Sequence, residues 1–136
     1  MSARDYDRVV SLWRTVQGIG LDDESDSRSG IARYLKQNPG LSFVAYCGDR
    51  MVGAVLSGHD GRRGYLHHLA VAASHRRQGI GQGLVARCLR ALASRHIPKC
   101  NIFLFRTNAP GRAFWEHNGW KLRPDLRVLQ KKTKDV

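Results

Sequence analysis

Midway along the chain a basic, glycine-bearing turn, Arg76-Arg77-Gln78-Gly79-Ile80-Gly81, separates two different apolar rhythms. Before it, Tyr65 to Val71 is a short apolar-rich run opened by the turn residues Asp60-Gly61, which reads as a strand. After it, Ile80, Leu84, Val85, Cys88, Leu89 and Leu92 recur at helical spacing, with Arg87, Arg90 and Ser94 on the opposite side. A strand that feeds through so short a turn into the strongest helical pattern of the chain argues for a mixed α/β architecture. The turn also sets free backbone N–H groups beside the positive end of a helix, an arrangement suited to phosphate. Nucleotides and phosphorylated cofactors are therefore the candidate ligands. A dinucleotide fingerprint starting at Gly79 needs glycine at position 84, which is Leu84, and no Gly-Lys pair exists for a P-loop.

The flanking segments are as legible. Tyr6, Val9, Val10, Leu12, Trp13 and Val16 predict a first helix that Gly18 and Gly20 end. Asp22-Asp23-Glu24-Ser25-Asp26 holds four of the eleven acids and reads as a solvated loop. Ser27 or Ser29 then caps a short helix through Leu35, stopped by Asn38-Pro39-Gly40. Leu41–Cys47, Met51–Ser57 and Tyr65–Val71, joined by Gly/Asp turns, predict a three-stranded antiparallel meander. Downstream, Cys100–Phe105 suits a central strand covered on both faces. Asn108 to Asn118 reads as a short helix with Pro110 early and Gly119 as its stop. Trp120 to Lys132 supplies one or two final strands, interrupted at Pro124. With 136 residues and 42% hydrophobic content, residues 1–136 read as one domain with one core.

That element order, together with Arg76-x-x-Gly79-x-Gly81, resembles the GNAT superfamily of N-acetyltransferases. The acetyl-CoA loop of that family reads Arg or Gln, two residues, Gly, one residue, then Gly or Ala. Asn108, Trp115, Gly119 and Trp120 fall where the family has its Asn, Tyr, Gly and aromatic residue, so the resemblance covers nearly the whole chain. It implies a mixed, mostly antiparallel α/β sheet splayed between strands 4 and 5 and flanked by about four helices. Those two strands are the one ending at Val71 and the one at Cys100–Phe105. It also implies acetyl-CoA as cosubstrate, without a metal. Leu69, Ala70 and Val71 would lie along the pantetheine arm, and backbone N–H groups of Arg77, Gln78, Gly79, Ile80, Gly81 and Gln82 would cradle the pyrophosphate. Arg76 and Arg77 would add charge, and Asn108 and Trp115 would lie near the pantetheine and its sulfur.

Acetyl transfer to an amine needs a neutral nucleophile, a stabilised oxyanion and a thiolate that can depart. An alkyl ammonium titrates near pH 10.4, so a base must take its proton, and histidine suits that task. Strand alternation places Tyr65, His67 and Leu69 on one face and Leu66, His68 and Ala70 on the other. His67, four residues before Val71, is the candidate base, because the related arylalkylamine N-acetyltransferases carry an active-site histidine at that place. His68 reads as structural. Trp115 stands where most members have a tyrosine acting as general acid, and its indole offers a hydrogen bond but no proton at neutral pH. The oxyanion is assigned, by resemblance, to a backbone N–H near Leu69 to Val71. The acceptor pocket is expected from Gln17 to Ser27, the turn at Asp60 to Gly64 and the C-terminal strands.

Lys+Arg outnumber Asp+Glu by 23 to 11, a formal charge of +12 that points to a partner of negative charge. An acidic acceptor would account for it, as would nucleic acid, the less favoured reading because no nucleic-acid motif accompanies Arg87, Arg90 and Arg95. A catalytically inert acyl-CoA sensor is a third reading. Cys47, Cys88 and Cys100 form an odd set without a C-x-x-C pair, and the charged N-terminus lacks a signal-peptide pattern, so a reduced, cytoplasmic setting away from membranes is expected. The histidines at 59, 67, 68, 75, 96 and 117 include no H-E-x-x-H, so no metal is expected. The partners implied are acetyl-CoA, an amine acceptor that is a small molecule or a protein, and a second copy in a homodimer.

Overall fold

Helix α1 (Tyr6–Arg14) buries Val9, Val10, Leu12 and Trp13, the stripe its sequence spacing predicts, with Asp7 in its first turn and Arg14 in its last, each favoured by the helix dipole. Helix α2 (Arg28–Gln37) starts at Ser27, whose hydroxyl accepts from the Gly30 N–H at 3.1 Å. Strands β1 (Phe43–Cys47), β2 (Arg50–His59) and β3 (Gly64–Val71) form the expected antiparallel meander, and β4 (Cys100–Ile102) joins β3 in parallel. Helix α3 (Ile80–Ala93) follows the glycine turn, and α4 (Ala109–His117) follows β4. The computed structural model describes residues 1–136 as two compact units, 1–105 and 106–136. No helix is long and apolar enough to cross a membrane.

Strand β2 is the centre of the first unit and is buried along eight consecutive residues, Met51 to Gly58. Its two faces meet different helices. A Cβ on Gly58 would run into Tyr34 of α2, whereas a Cβ on Gly53 would lie 2.9 Å from Leu84 and 3.1 Å from Ile80 of α3. Through the cross-strand pairs Gly58↔Tyr65, Leu56↔His67 and Ala54↔Ala70, the residues Tyr65, His67 and Ala70 therefore face the α1/α2 layer. Leu66, opposite Ser57, faces α3. The α1/α2 layer packs Val9, Trp13, Ile31, Val52, Ala54 and Leu56 into one cluster, each large member worth about 1.5–3 kcal/mol on burial.

Two expectations fail at the far edge. The strand expected over Cys100–Phe105 stops at Ile102, because β4 pairs with β3 only through Leu66↔Ile102 and the two then part. Phe103 and Phe105 are 61% and 59% exposed, so that segment is not covered on both faces. Phe103 instead stacks on Tyr65 with ring centroids 5.9 Å apart. Residues 120–132 contain no strand. Pro124 has no N–H to offer a ladder, and Arg123 closes locally on Asp125 through two bonds of 2.9 and 2.8 Å. The opening implied by the resemblance is thus present between the third and fourth strands of a four-stranded mixed sheet in the first unit, which also holds α1, α2 and α3, and α4 lies in the second unit.

Candidate active site

Beyond Leu66 the β3 strand continues without a β4 partner, and there its ladder with β2 is interrupted: Leu56 pairs with His67 and Ala54 with Ala70, so β3 carries one extra residue. This is a β-bulge. His68 occupies it at φ +56°, the left-handed region, which costs a non-glycine residue roughly 1–2 kcal/mol. The bulge corrects the simple alternation predicted for this strand. Ala70, not Leu69, joins Tyr65 and His67 on the α1/α2 face, and the His67 and His68 rings lie side by side with centroids 6.3 Å apart instead of on opposite faces.

The surroundings of the two imidazoles differ. His67 stacks against Tyr65 at 6.3 Å and meets Tyr34 of α2 edge-on at 6.2 Å and Phe103 at 6.1 Å. This aromatic setting desolvates the ring, and together with the neighbouring His68 it lowers the His67 pKa below the ordinary 6.5, with Asp26 opposing the shift. At neutral pH His67 is therefore a free base. The Tyr34 hydroxyl is pushed up to about 12, by burial first and then by the Cys100 and Cys88 thiols, which makes it a hydrogen-bond donor and not a base.

His68 has a fixed partner. Its Nε2 donates to the Asp26 carboxylate, 3.0 and 3.1 Å from the two oxygens, and its ring packs edge-on to Trp13 at 4.9 Å. Asp26 is one of the acids of the run expected to be solvated, yet its side chain is only 10% exposed. Burial favours its neutral form, but the bonds from His68 and from the Asp22 N–H outweigh burial and hold the carboxyl below its usual value. Sequence reasoning missed Asp26 because nothing local distinguishes it from Asp23 and Glu24. Its partner lies 42 residues away.

The glycine turn is built as a concavity of N–H groups. Arg77 has φ +60° and Gly79 φ +80°, so two left-handed residues alternate with Gln78 before α3 begins at Ile80. Such an alternation turns successive amides toward one point, which suits an anion. The first N–H of α3 to bond a preceding carbonyl is that of Gly83, to Gly79 at 2.9 Å, so the amides of Ile80, Gly81 and Gln82 at the helix start have no intrahelical acceptor. A Cβ added to Gly79 would meet no protein atom within 4 Å. Arg76 folds back on the strand, its Nε donating to the Val71 carbonyl at 3.3 Å.

In the second unit, Asn108 is the N-cap of α4, its side chain accepting from the Gly111 N–H at 3.0 Å. Trp115 packs edge-on against Phe114 at 5.1 Å and Trp120 at 4.9 Å. The three cysteines are free, and no group of three or more His, Cys, Asp or Glu side chains is placed to hold a metal.

Comparison with known proteins agrees with this geometry. Residues 7–120 match the model of the acetyltransferase (GNAT) family. An acetyltransferase of Sodalis glossinidius is 28% identical over 128 residues, covering 94% of this chain and 89% of that protein. The PaiA N-acetyltransferase of Thermoplasma acidophilum, solved with coenzyme A, superposes with a TM-score of 0.78 at 18% identity, over 90% of this chain and 87% of that one. The apo aminoglycoside 6'-N-acetyltransferase AAC(6')-Ig of Acinetobacter haemolyticus superposes with a TM-score of 0.79 at 16% identity, over 97% and 95% of the two chains. The fold is thus one these proteins share, and this chain is a member of the GNAT family of acetyltransferases.

Proposed function

We propose that the protein is an N-acetyltransferase that moves the acetyl group of acetyl-CoA to a primary amine by direct attack in a ternary complex. The observation that carries this reading is the continuity of the parted β3 edge with the N–H concavity of residues 77–82. That continuity fits an extended molecule ending in a pyrophosphate, and the coenzyme A complex of the structural relative supports the same cosubstrate. Acetyl-CoA supplies an activated thioester. The amides of Arg77, Gln78, Gly79, Ile80, Gly81 and Gln82 hold the diphosphate, with Arg76 and Arg77 nearby. Backbone groups of Leu69, Ala70 and Val71 bind along the arm, and an N–H of this segment stabilises the developing oxyanion. The whole chain acts as one acetyltransferase domain.

His67 is the base. It is unprotonated at neutral pH, and it directly follows Leu66, the last residue of β3 paired with β4. It takes a proton from the acceptor's ammonium, directly or through a water molecule, leaving the neutral amine that attacks the thioester carbonyl. The family resemblance assigns Asn108 and Trp115 to cofactor binding; an indole N–H such as that of Trp115 can donate a hydrogen bond to a departing sulfur but gives up no proton at neutral pH. An alkyl thiol titrates near pH 8.5, so it leaves without a general acid. The acceptor is an amine on a small molecule or a protein. The test is thiol release from acetyl-CoA in the presence of a panel of primary amines. Release that requires an amine and falls about 10²–10⁴-fold in His67→Ala is the expected result. Binding of acetyl-CoA without turnover on any amine would identify a sensor instead.

A further inference from the structure

The pair formed by Asp26 and His68 lies outside the roles assigned so far. It joins the loop that begins α2 to the one left-handed residue of the β3 bulge. Both side chains are largely withdrawn from solvent, His68 at 17% and Asp26 at 10% exposure, and both carboxylate oxygens are within 3.1 Å of the imidazole. The carboxylate is itself oriented. Its Oδ2 accepts from the Asp22 N–H at 2.8 Å, the Asp26 N–H donates back to the Asp22 carbonyl at 2.8 Å, and the Asp26 carbonyl accepts from the Tyr6 hydroxyl at 2.8 Å. On its other side the His68 ring is braced by Trp13 of α1. A histidine takes positive φ more readily than most residues, but the conformation is still disfavoured against the extended one of a regular strand. Contacts from α1 and from the loop therefore fix it, and they fix where β3 turns away from its regular path.

We propose that Asp26 and His68 are a positioning pair for acetyl transfer: the carboxylate holds the imidazole, and with it the bulge, so that the His67 ring and the backbone of Leu69 keep their places at the parted edge of the sheet. The inference rests on the transferase reading above. Its geometry follows from connectivity: His67 precedes the left-handed residue, Leu69 follows it, and Tyr34, which packs on His67, is carried by the helix whose cap, Ser27, directly follows Asp26. The glycine turn lies beyond Val71 and has its own supports, so loss of the pair weakens the transfer step far more than cofactor binding, although Leu69 also borders the arm.

The experiment compares Asp26→Asn, His68→Gln and the double variant with wild type in kcat, in acetyl-CoA Kd by calorimetry and in melting temperature. Asp7→Asn is the control; it removes an exposed carboxylate from the Arg28 ion pair elsewhere on the surface. Each single variant is expected to lower kcat at least 10-fold with Kd changed less than 2-fold, and the double variant is expected to be no worse than the worse single. Full kcat in folded Asp26→Asn, or a loss of kcat matched by an equal loss of acetyl-CoA affinity, overturns the proposal. Asp26→Asn keeps the shape of the side chain, so it decides the question alone if His68→Gln does not fold. Absence of turnover in wild type with every amine overturns the transferase reading and this proposal with it. Turnover in wild type with unaltered variants overturns this proposal alone.

Discussion

Gly79→Ala separates what the fold needs from what the ligand needs at a single atom. At φ +80° the residue is left-handed, and its new Cβ would meet no protein atom within 4 Å. There is no clash to relieve, so the cost to the free protein is the left-handed conformation itself, about 1–2 kcal/mol. Reduced freedom of the unfolded chain returns about 0.4–1 kcal/mol of it. The net destabilisation of roughly 1 kcal/mol lowers the melting temperature by about 2–8 °C for a chain of this length. Gly61→Ala provides the comparison, because Gly61 lies in the β2–β3 turn at φ +89° with equally open surroundings. The two variants are expected to melt alike without ligand. With acetyl-CoA at 100 times its Kd, wild type and Gly61→Ala gain about 2.7 kcal/mol. Gly79→Ala should lose most of that gain, because its methyl group stands in the concavity of amides. The assay is a pair of thermal melts for each protein, with and without acetyl-CoA. Equal ligand-induced shifts in all three would refute the placement of the diphosphate.

Four further outcomes follow from the geometry. Because His67 must be unprotonated and burial lowers its pKa, the acid limb of kcat/KM against pH is expected below 6.5, and a limb at or above 7 contradicts the assignment. In the same range the unfolded chain binds that proton more readily than the folded one, so denaturant titrations should show this contribution to stability declining as pH falls through 6.5. Gly53→Ala would bring a Cβ to 2.9 Å from Leu84 and 3.1 Å from Ile80, forcing α3 off the sheet at a cost of about 1–3 kcal/mol, and Leu84→Ala in the same chain should restore part of it in urea melts. Leu41→Ala removes a side chain with 0% exposure and should cost about 2–5 kcal/mol by the same measurement.

Much of the fold is legible in the residues, and the failures have physical causes. Amphipathic spacing locates α1 and α3, Ser27 is the one of two candidate caps that the chain uses, and the glycine turn carries the family resemblance. Local signals fix these elements. The bulge is not legible, since one left-handed histidine changes the face of the residues after it and no composition cue marks His68. Asp26 reads as solvated because its burial depends on a contact spanning 42 residues. The strands expected in residues 120–132 do not form, because a strand needs a partner edge and Pro124 and the Arg123–Asp125 pair favour a local turn.

The most direct test of the account is calorimetric titration of the purified protein with acetyl-CoA. Saturable binding at one site with a micromolar Kd is the expected result. No heat of binding, together with no change in melting temperature on adding acetyl-CoA, would contradict the central claim that the amides of residues 77–82 hold this cosubstrate.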